Sequence, residues 1–278
     1  MAARVSSPRR DAAVGREISV RDADAAVKRL AVITGASSGV GEAAAREFVA
    51  RGYRVVLIAR SADRLERLAG DLGAAAMAAP ADAAESDQIG AVAGRVLDRL
   101  GAPDVIVHAA GAGGWKTVPE TTPDEAATMM AAPYFADFLT TRAFLPAMLA
   151  RGSGVILHIN SPAAILPWPS SAGYAAARAA VRGFHEALAQ DLAGTGVRSC
   201  HVIFGRIASQ YFDNNPGVIE KMPKLAAAVP VLSPDYCARK LANLAGRPRH
   251  NAVFPLILSV SLRAAVIFPS LVRWLLRL

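Results

Sequence analysis

Eight residues, Thr34-Gly35-Ala36-Ser37-Ser38-Gly39-Val40-Gly41, constrain this chain more than any other stretch. Before them Leu30-Ala31-Val32-Ile33 is a charge-free, β-prone run, and after them residues 42–51 read as an alanine-rich helix. A glycine-rich turn between a buried strand and a helix leaves backbone N–H groups unpaired and aimed at one spot. Those groups and the positive end of the helix dipole suit a pyrophosphate. Glycine serves where the chain turns tightly or where phosphate or sheet must approach the backbone. By itself the cluster also fits an ordinary loop, so the rest of the chain has to decide.

The chain decides by alternation. Tyr53-Arg54-Val55-Val56-Leu57-Ile58-Ala59 is a continuous apolar run of the kind a strand buried on both faces of a parallel sheet shows. Ser61 then caps a helix to about Leu72, residues 74–79 form a third strand, and residues 85–100 form a helix. Asp104-Val105-Ile106-Val107-His108 is a fourth strand, ending in Ala109-Ala110-Gly111. Thr122-Pro123-Asp124-Glu125 opens a helix with a cap, an early proline and a glutamate three residues on. That helix runs towards Leu149 with Pro133 inside it, where a proline kinks a helix. Strands at 154–159, 197–204 and 252–254, with helices from about Gly173 to Ala193 and from Ser233, complete the series. Strands alternating with helices at this spacing imply right-handed crossovers and an α/β fold: one Rossmann-like, doubly wound parallel sheet flanked by helices on both faces. The ligand crevice then lies at the carboxyl ends of the strands.

Composition sets the outer limits. With 278 residues, 53% hydrophobic and 19% charged, the chain can bury a sizeable core. Its net charge of +8 attracts anions, but the 31 Lys and Arg are scattered, with no basic run interleaved with aromatics. No nucleic-acid partner is expected. Cys200 and Cys237 lack metal-ligand spacing and read as free thiols of a reducing compartment, so the expected location is cytoplasmic. Residues 1–28 are polar, hold five arginines and lack the apolar core of a secretory signal; they read as a mobile arm before a domain over 29–255.

Taken together, these motifs resemble the short-chain dehydrogenase/reductase family over roughly residues 29–255. Thr34 to Gly41 fits the family's Thr-Gly-x-x-x-Gly-x-Gly turn, and His108-Ala109-Ala110-Gly111 is similar to its Asn-Asn-Ala-Gly stretch. Ser161 and Tyr174 stand at the separation of the family's catalytic serine and tyrosine. Phe204-Gly205-Arg206-Ile207-Ala208-Ser209 occupies the place of Pro-Gly-x-x-x-Thr, with the proline and threonine changed. The resemblance implies a nucleotide site that includes Gly35, Ser37, Ser38, Gly39, Val40, Gly41, Asp82, Ala110, Gly111, Gly205 and Ile207. Relatives that use NAD carry an acidic residue at the end of the second strand, whereas this chain has Ala59 followed by Arg60. An arginine can hold a 2′-phosphate bidentately, so NADP(H) is the expected cofactor.

The resemblance also implies how the chemistry departs from the family's pattern. A ketone reduction needs a proton for the forming alkoxide, and a tyrosine supplies it when a nearby cation favours phenolate. The family places a lysine four residues after the tyrosine, on the same helix face. Here that residue is Arg178, which keeps the charge but is longer, planar and no proton donor. Counting back from Leu145-Pro146-Ala147-Met148, the family's catalytic asparagine falls on Pro133, which keeps a carbonyl but no N–H. The expected catalytic set is Ser161, Tyr174 and Arg178, with Pro133 preserving a helix irregularity. His108, His158 and His201 read as structural.

Ile165, Pro167-Trp168-Pro169 and Tyr211-Phe212 lie in segments that border substrate in this fold, and their apolar character favours a bulky hydrophobic ketone or alcohol. Arg206 reads equally as a ligand for the cofactor or a carboxylate and as a surface residue. Residues 256–278 form an apolar tail punctuated by Arg263, Arg273 and Arg277, too interrupted for a spanning helix. Packing in a homodimer or homotetramer and contact with a membrane surface both fit it. The leading expectation is an NADP(H)-dependent oxidoreductase. Its competitors are a cofactor-binding protein of this fold without redox chemistry and a fold member recruited to a non-redox reaction.

Overall fold

The computed structural model describes residues 29–209, 211, 215, 217–218, 221–223, 226 and 228–270. The apolar runs become strands β1 (Arg29–Thr34), β2 (Tyr53–Ala59), β3 (Ala76–Pro80), β4 (Val105–His108), β5 (Gly154–Asn160), β6 (Val197–Phe204) and β7 (Asn251–Phe254). Between them lie helices α1 (Gly39–Ala50), α2 (Ala62–Leu72), α3 (Ser86–Leu100), α4 (Pro123–Met130), α5 (Ala136–Arg151), α6 (Ala172–Asp191) and α7 (Pro234–Gly246); α8 (Leu256–Ile267) follows β7.

All strand pairings are parallel, in the order β3-β2-β1-β4-β5-β6-β7. The order reverses between β1 and β4, and that point opens a crevice at their carboxyl ends. Alternate residues of each strand feed opposite faces of the sheet. Ala31, Ile33, Val55, Leu57 and Val107 meet Phe48 of α1 on one side. Leu30, Val32, Val56, Ile58 and Ile106 meet Val92 of α3 and Phe144 of α5 on the other. Phe48 and Phe144 are fully buried, and each side chain of this kind stabilises by ~1.5–3 kcal/mol relative to exposure.

One helix start differs from the expected outline, and the irregularity expected at Pro133 is present. The first helix begins at Gly39 rather than at residue 42, because the glycine turn leads straight into it. The long helix expected after Thr122 is divided. Thr122 and Glu125 form a reciprocal capping box at its start, but residues Ala131–Phe135 form a π-helical turn around Pro133. There the N–H of Ala136 reaches back five residues to the carbonyl of Ala131 and also meets that of Pro133. A proline cannot donate the bond a regular helix needs at its position, and the turn widens to absorb it.

Candidate active site

The glycine turn has the shape its sequence suggested. Gly35 has φ +66°, and a Cβ there would lie 2.6 Å from the backbone of Ala109. A Cβ on Gly41 would strike the carbonyl of Gly35, so α1 sits against the turn as closely as backbone allows. Ser38 caps α1 with extended backbone but makes no side-chain cap bond. The first N–H groups of α1 are therefore left for an incoming anion. The Thr34 hydroxyl accepts from Ala110 N–H at 3.3 Å and ties the turn to the end of β4.

A cavity of about 830 Å³ runs from this turn across the carboxyl ends of the strands. Gly35, Ser37, Ser38, Gly39, Val40, Arg60, Asp82, Ala110, Gly111, Gly205 and Ile207 line it, as do Ser161, Tyr174 and Arg178. Gly41 stands behind the lining, where it permits the contact between helix and turn. Arg60 is 78% exposed at the rim, with its Nη1 3.9 Å from Asp82 Oδ2, so its guanidinium is available to a phosphate. Arg206 also borders the cavity and has a buried Nε with no hydrogen-bond partner. A nicotinamide dinucleotide fits this arrangement: a backbone cradle that tolerates no Cβ, open helix N–H groups and cations at the rim.

Ser161 directly follows β5, and its hydroxyl accepts from Ala163 N–H at 3.3 Å. Asn160 beside it fixes the local frame. Its Oδ1 accepts from Ser161 N–H at 2.8 Å, and its Nδ2 donates to the Arg178 carbonyl at 2.9 Å. Tyr174 and Arg178 follow one another up the same face of α6, the tyrosine 8% exposed. Arg178 Nη1 donates to the Ile159 carbonyl at 3.3 Å, while its Nε is buried and unpartnered. A Cβ on Gly111 would lie only 2.8 Å from Arg178 Nη2. The added length of arginine is thus accommodated because residue 111 is glycine.

Beneath α6 lies a polar layer that joins the histidines read singly as structural to Asp137, which the sequence did not single out. Strand register places His108 beside His158 and His158 beside His201. Asp137, four residues after Pro133, is buried between the first two: its Oδ2 lies 3.1 Å from His158 Nδ1 and its Oδ1 3.6 Å from His108 Nδ1. Burial pushes the Asp137 carboxyl up to about 7, partly offset by His108 and by the positive charge of Arg178. Burial likewise holds His108 down to about 4 and His158 to about 3, so both are neutral.

The other end of the cavity is an aromatic box. Trp115, Trp168, Tyr174 and Tyr211 cluster with Met129 and Val218. The ring centroid of Trp115 is 4.9 Å from that of Trp168 and 6.1 Å from that of Tyr174, and its Nε1 donates to the Tyr211 hydroxyl at 3.1 Å. Trp115 was missed from sequence; the only signal was a tryptophan in the loop after β4. Of the expected wall residues, Trp168 and Tyr211 line the cavity, joined by Leu166. Ile165 instead packs against Ile203, Leu258 and Leu262, Pro167 and Pro169 are not among the lining residues, and Phe212 lies outside the described residues. Helix α8, the first part of the apolar tail, turns Leu258 and Leu262 into the cavity wall, while Leu256, Val260 and Val266 face out. Among the described residues no helix is long and apolar enough to cross a membrane. The arm over 1–28 and the tail over 271–278 lie outside the described residues.

A seven-stranded parallel sheet with a glycine turn and a Ser-Tyr pair at its carboxyl edge defines a Rossmann-like nucleotide-binding protein. The family model for short chain dehydrogenase matches residues 29–216, and the chain belongs to that family. It is 37% identical over 188 residues to a 2-(R)-hydroxypropyl-CoM dehydrogenase of Xanthobacter autotrophicus, covering 65% of this chain and 75% of that protein. It is 35% identical over 227 residues to an uncharacterized oxidoreductase of Mycobacterium tuberculosis, covering 80% and 87%. Among solved structures, a short-chain dehydrogenase from Streptomyces avermitilis superposes with a TM-score of 0.77 at 27% identity, covering 88% of this chain and 96% of the other. A metagenomic short-chain oxidoreductase in complex with NADP gives 0.69 at 31% identity, covering 81% and 96%. A 3-ketoacyl-(acyl-carrier-protein) reductase from Brucella melitensis complexed with NADH gives 0.73 at 27%, covering 81% and 95%.

Proposed function

We propose that this short-chain dehydrogenase interconverts a bulky hydrophobic ketone or aldehyde and its alcohol, with NADP(H) as the cofactor. One observation carries the reading: Ser161, Tyr174 and Arg178 border the same cavity as the glycine turn, and an aromatic box closes its other end. Arg60 directly after β2, with Ala59 in the place where an acidic residue would favour NAD, supports the phosphate-bearing cofactor.

The turn over 34–41 and the N-terminus of α1 hold the pyrophosphate, Arg60 the 2′-phosphate, and Arg178 the nicotinamide ribose. The bound nicotinamide supplies or takes the hydride. The Ser161 hydroxyl donates a hydrogen bond to the carbonyl oxygen and orients it. The Tyr174 hydroxyl gives that oxygen its proton in reduction and takes it back in oxidation. Arg178 contributes charge alone, stabilising negative charge on the phenol oxygen; it does not shuttle the proton. Trp115, Trp168, Leu258 and Leu262 exclude water and hold the apolar part of the substrate.

The test is NADPH consumption by the wild type and Arg178→Lys across a panel of bulky ketones. Turnover by the wild type is expected. If both proteins bind NADPH but only the lysine variant turns over, the native chain is a cofactor-binding protein or catalyses a non-redox reaction. If neither binds nucleotide, the reading fails altogether.

A further inference from the structure

All five histidines of this chain, His108, His158, His185, His201 and His250, belong to one connected cluster. Most of their ring nitrogens are spoken for. His201 uses Nε2 towards Asn160 Nδ2 at 2.8 Å and Nδ1 towards Asn251 Oδ1 at 3.1 Å. His158 uses Nδ1 towards Asp137 and Nε2 towards Ser199 Oγ, both at 3.1 Å. His185 uses only Nδ1, towards the same Ser199 Oγ at 2.8 Å; its Nε2 is buried and has no partner, although the side chain is fully enclosed.

The hydrogen bonds assign the tautomers in order. Above the Asp137 value of about 7, where this residue is a carboxylate, His158 must donate from Nδ1, which leaves its Nε2 a bare acceptor. The Ser199 hydroxyl donates to that nitrogen and therefore accepts from His185 Nδ1–H. A neutral imidazole carries one proton. The Nε2 of His185 is then a bare lone pair, which is the form that ligates a metal, and the Ser199 bond on the opposite nitrogen is the outer support such ligands characteristically have.

His185 does not stand alone. His250, just before β7, and Glu186, next to His185 on α6, stand beside its ring, and one ligand atom from each of the three residues lies within 4.8 Å of the other two. The His185 and His250 ring centroids are 4.6 Å apart, and His250 Nε2 is 2.9 Å from Glu186 Oε2. Tetrahedral zinc with bonds of about 2.0–2.2 Å brings its ligand atoms to roughly 3.3 Å from one another. The side chains of His250 and Glu186 are 47% and 41% exposed, so rotation of these two closes the gap while His185 stays fixed.

We propose that His185, Glu186 and His250 form a binding site for a divalent transition ion of the zinc class, separate from the nucleotide cavity. Two imidazoles and a carboxylate suit zinc over calcium or magnesium, which take oxygen ligands. Three protein ligands leave the fourth position to water. The ion clamps the later turns of α6, the helix that carries Tyr174 and Arg178, to the chain entering β7. Arg182, whose charge reaches Glu186 and His201, moderates the affinity of the site without occupying it.

The experiment uses untagged full-length protein, stripped with chelator and held at about pH 8, where histidine ligands are neutral. Zn2+ is titrated by calorimetry, melting is followed with and without it, and Co2+ reports geometry through the visible absorption of a tetrahedral site. One equivalent of zinc, a raised melting temperature and a tetrahedral cobalt spectrum are expected. His250→Ala and Glu186→Gln alter side chains that are nearly half exposed, so both variants fold. Each should weaken zinc binding by more than the ~10–100-fold that loss of a supporting hydrogen bond costs. Absence of zinc uptake by the wild type overturns the proposal, as does uptake unchanged in His250→Ala.

Discussion

The guanidinium carbon of Arg178 lies 5.1 Å from the centroid of the Tyr174 ring, one helical turn further along α6. A cation over a π-face is attracted to it; here the tyrosine is buried and the arginine half-buried. The arginine reaches this place because Gly111 leaves room for Nη2 and because the Ile159 carbonyl holds Nη1. A positive charge thus remains beside the phenol although the residue that carries it cannot pass on a proton.

Tyr174→Phe removes the hydroxyl proposed as general acid and leaves the ring packing with Trp115 in place. Ketone reduction should fall by ~10²–10⁴-fold. Fluorescence titration should show NADPH binding nearly unchanged. A variant that keeps full turnover would remove Tyr174 from the chemistry.

Arg60→Asp places a carboxylate where the 2′-phosphate is expected. Loss of a charge-assisted bond corresponds to about tenfold or more in KM for NADPH, with NADH favoured in comparison. Steady-state kinetics with both cofactors measures the switch. Equal effects on the two would place Arg60 outside the phosphate site.

Gly41→Ala drives a methyl group into the Gly35 carbonyl, backbone against backbone. A cost of roughly 1–3 kcal/mol and loss of nucleotide binding are expected, read by thermal melting and titration. Gly70→Ala is the paired control: it lies in α2 with nothing within 4 Å of an added Cβ, and it should stabilise by ~0.4–1 kcal/mol.

Stability should fall as the solution is acidified. Burial lowers the folded-state values of His108 and His158 from 6.5 to about 4 and about 3, so below 6.5 the unfolded chain takes up protons that the folded chain refuses. Asp137 opposes them. Burial raises it from 3.8 to about 7, so its contribution is greatest below 3.8 and is lost as pH rises towards 7. Two histidines outweigh one carboxyl, and the melting temperature should drop between about pH 6.5 and pH 4. His108→Asn should flatten that slope. A melting temperature independent of pH in this window would contradict the burial of these groups.

Much of the fold was legible because its determinants are local. Val55 to Ile58 are buried on both sheet faces, and only a continuous apolar run can satisfy both. The expected residues 74–79 appear as Ala76–Pro80 despite poor strand propensity, because pairing with β2 overrides it. The placement of Tyr174 and Arg178 together was legible too, since a spacing of four is one turn on any helix.

What the sequence determined by itself is therefore the alternation of strands and helices, the glycine turn, and the placing of Tyr174 and Arg178 on one helix face. Each follows from periodicity, backbone freedom or spacing within a single element. Only the tertiary structure decided that Trp115 stands beside Tyr174, that α8 turns Leu258 and Leu262 into the pocket wall, and that Pro133 sits in a π-helical turn above Asp137. It also gathered five histidines, of which the sequence singled out only His108, His158 and His201, into a line ending at His250. Contacts of this kind depend on which strands pair, in what register, and which loop returns over them, and no local pattern of residues encodes that return.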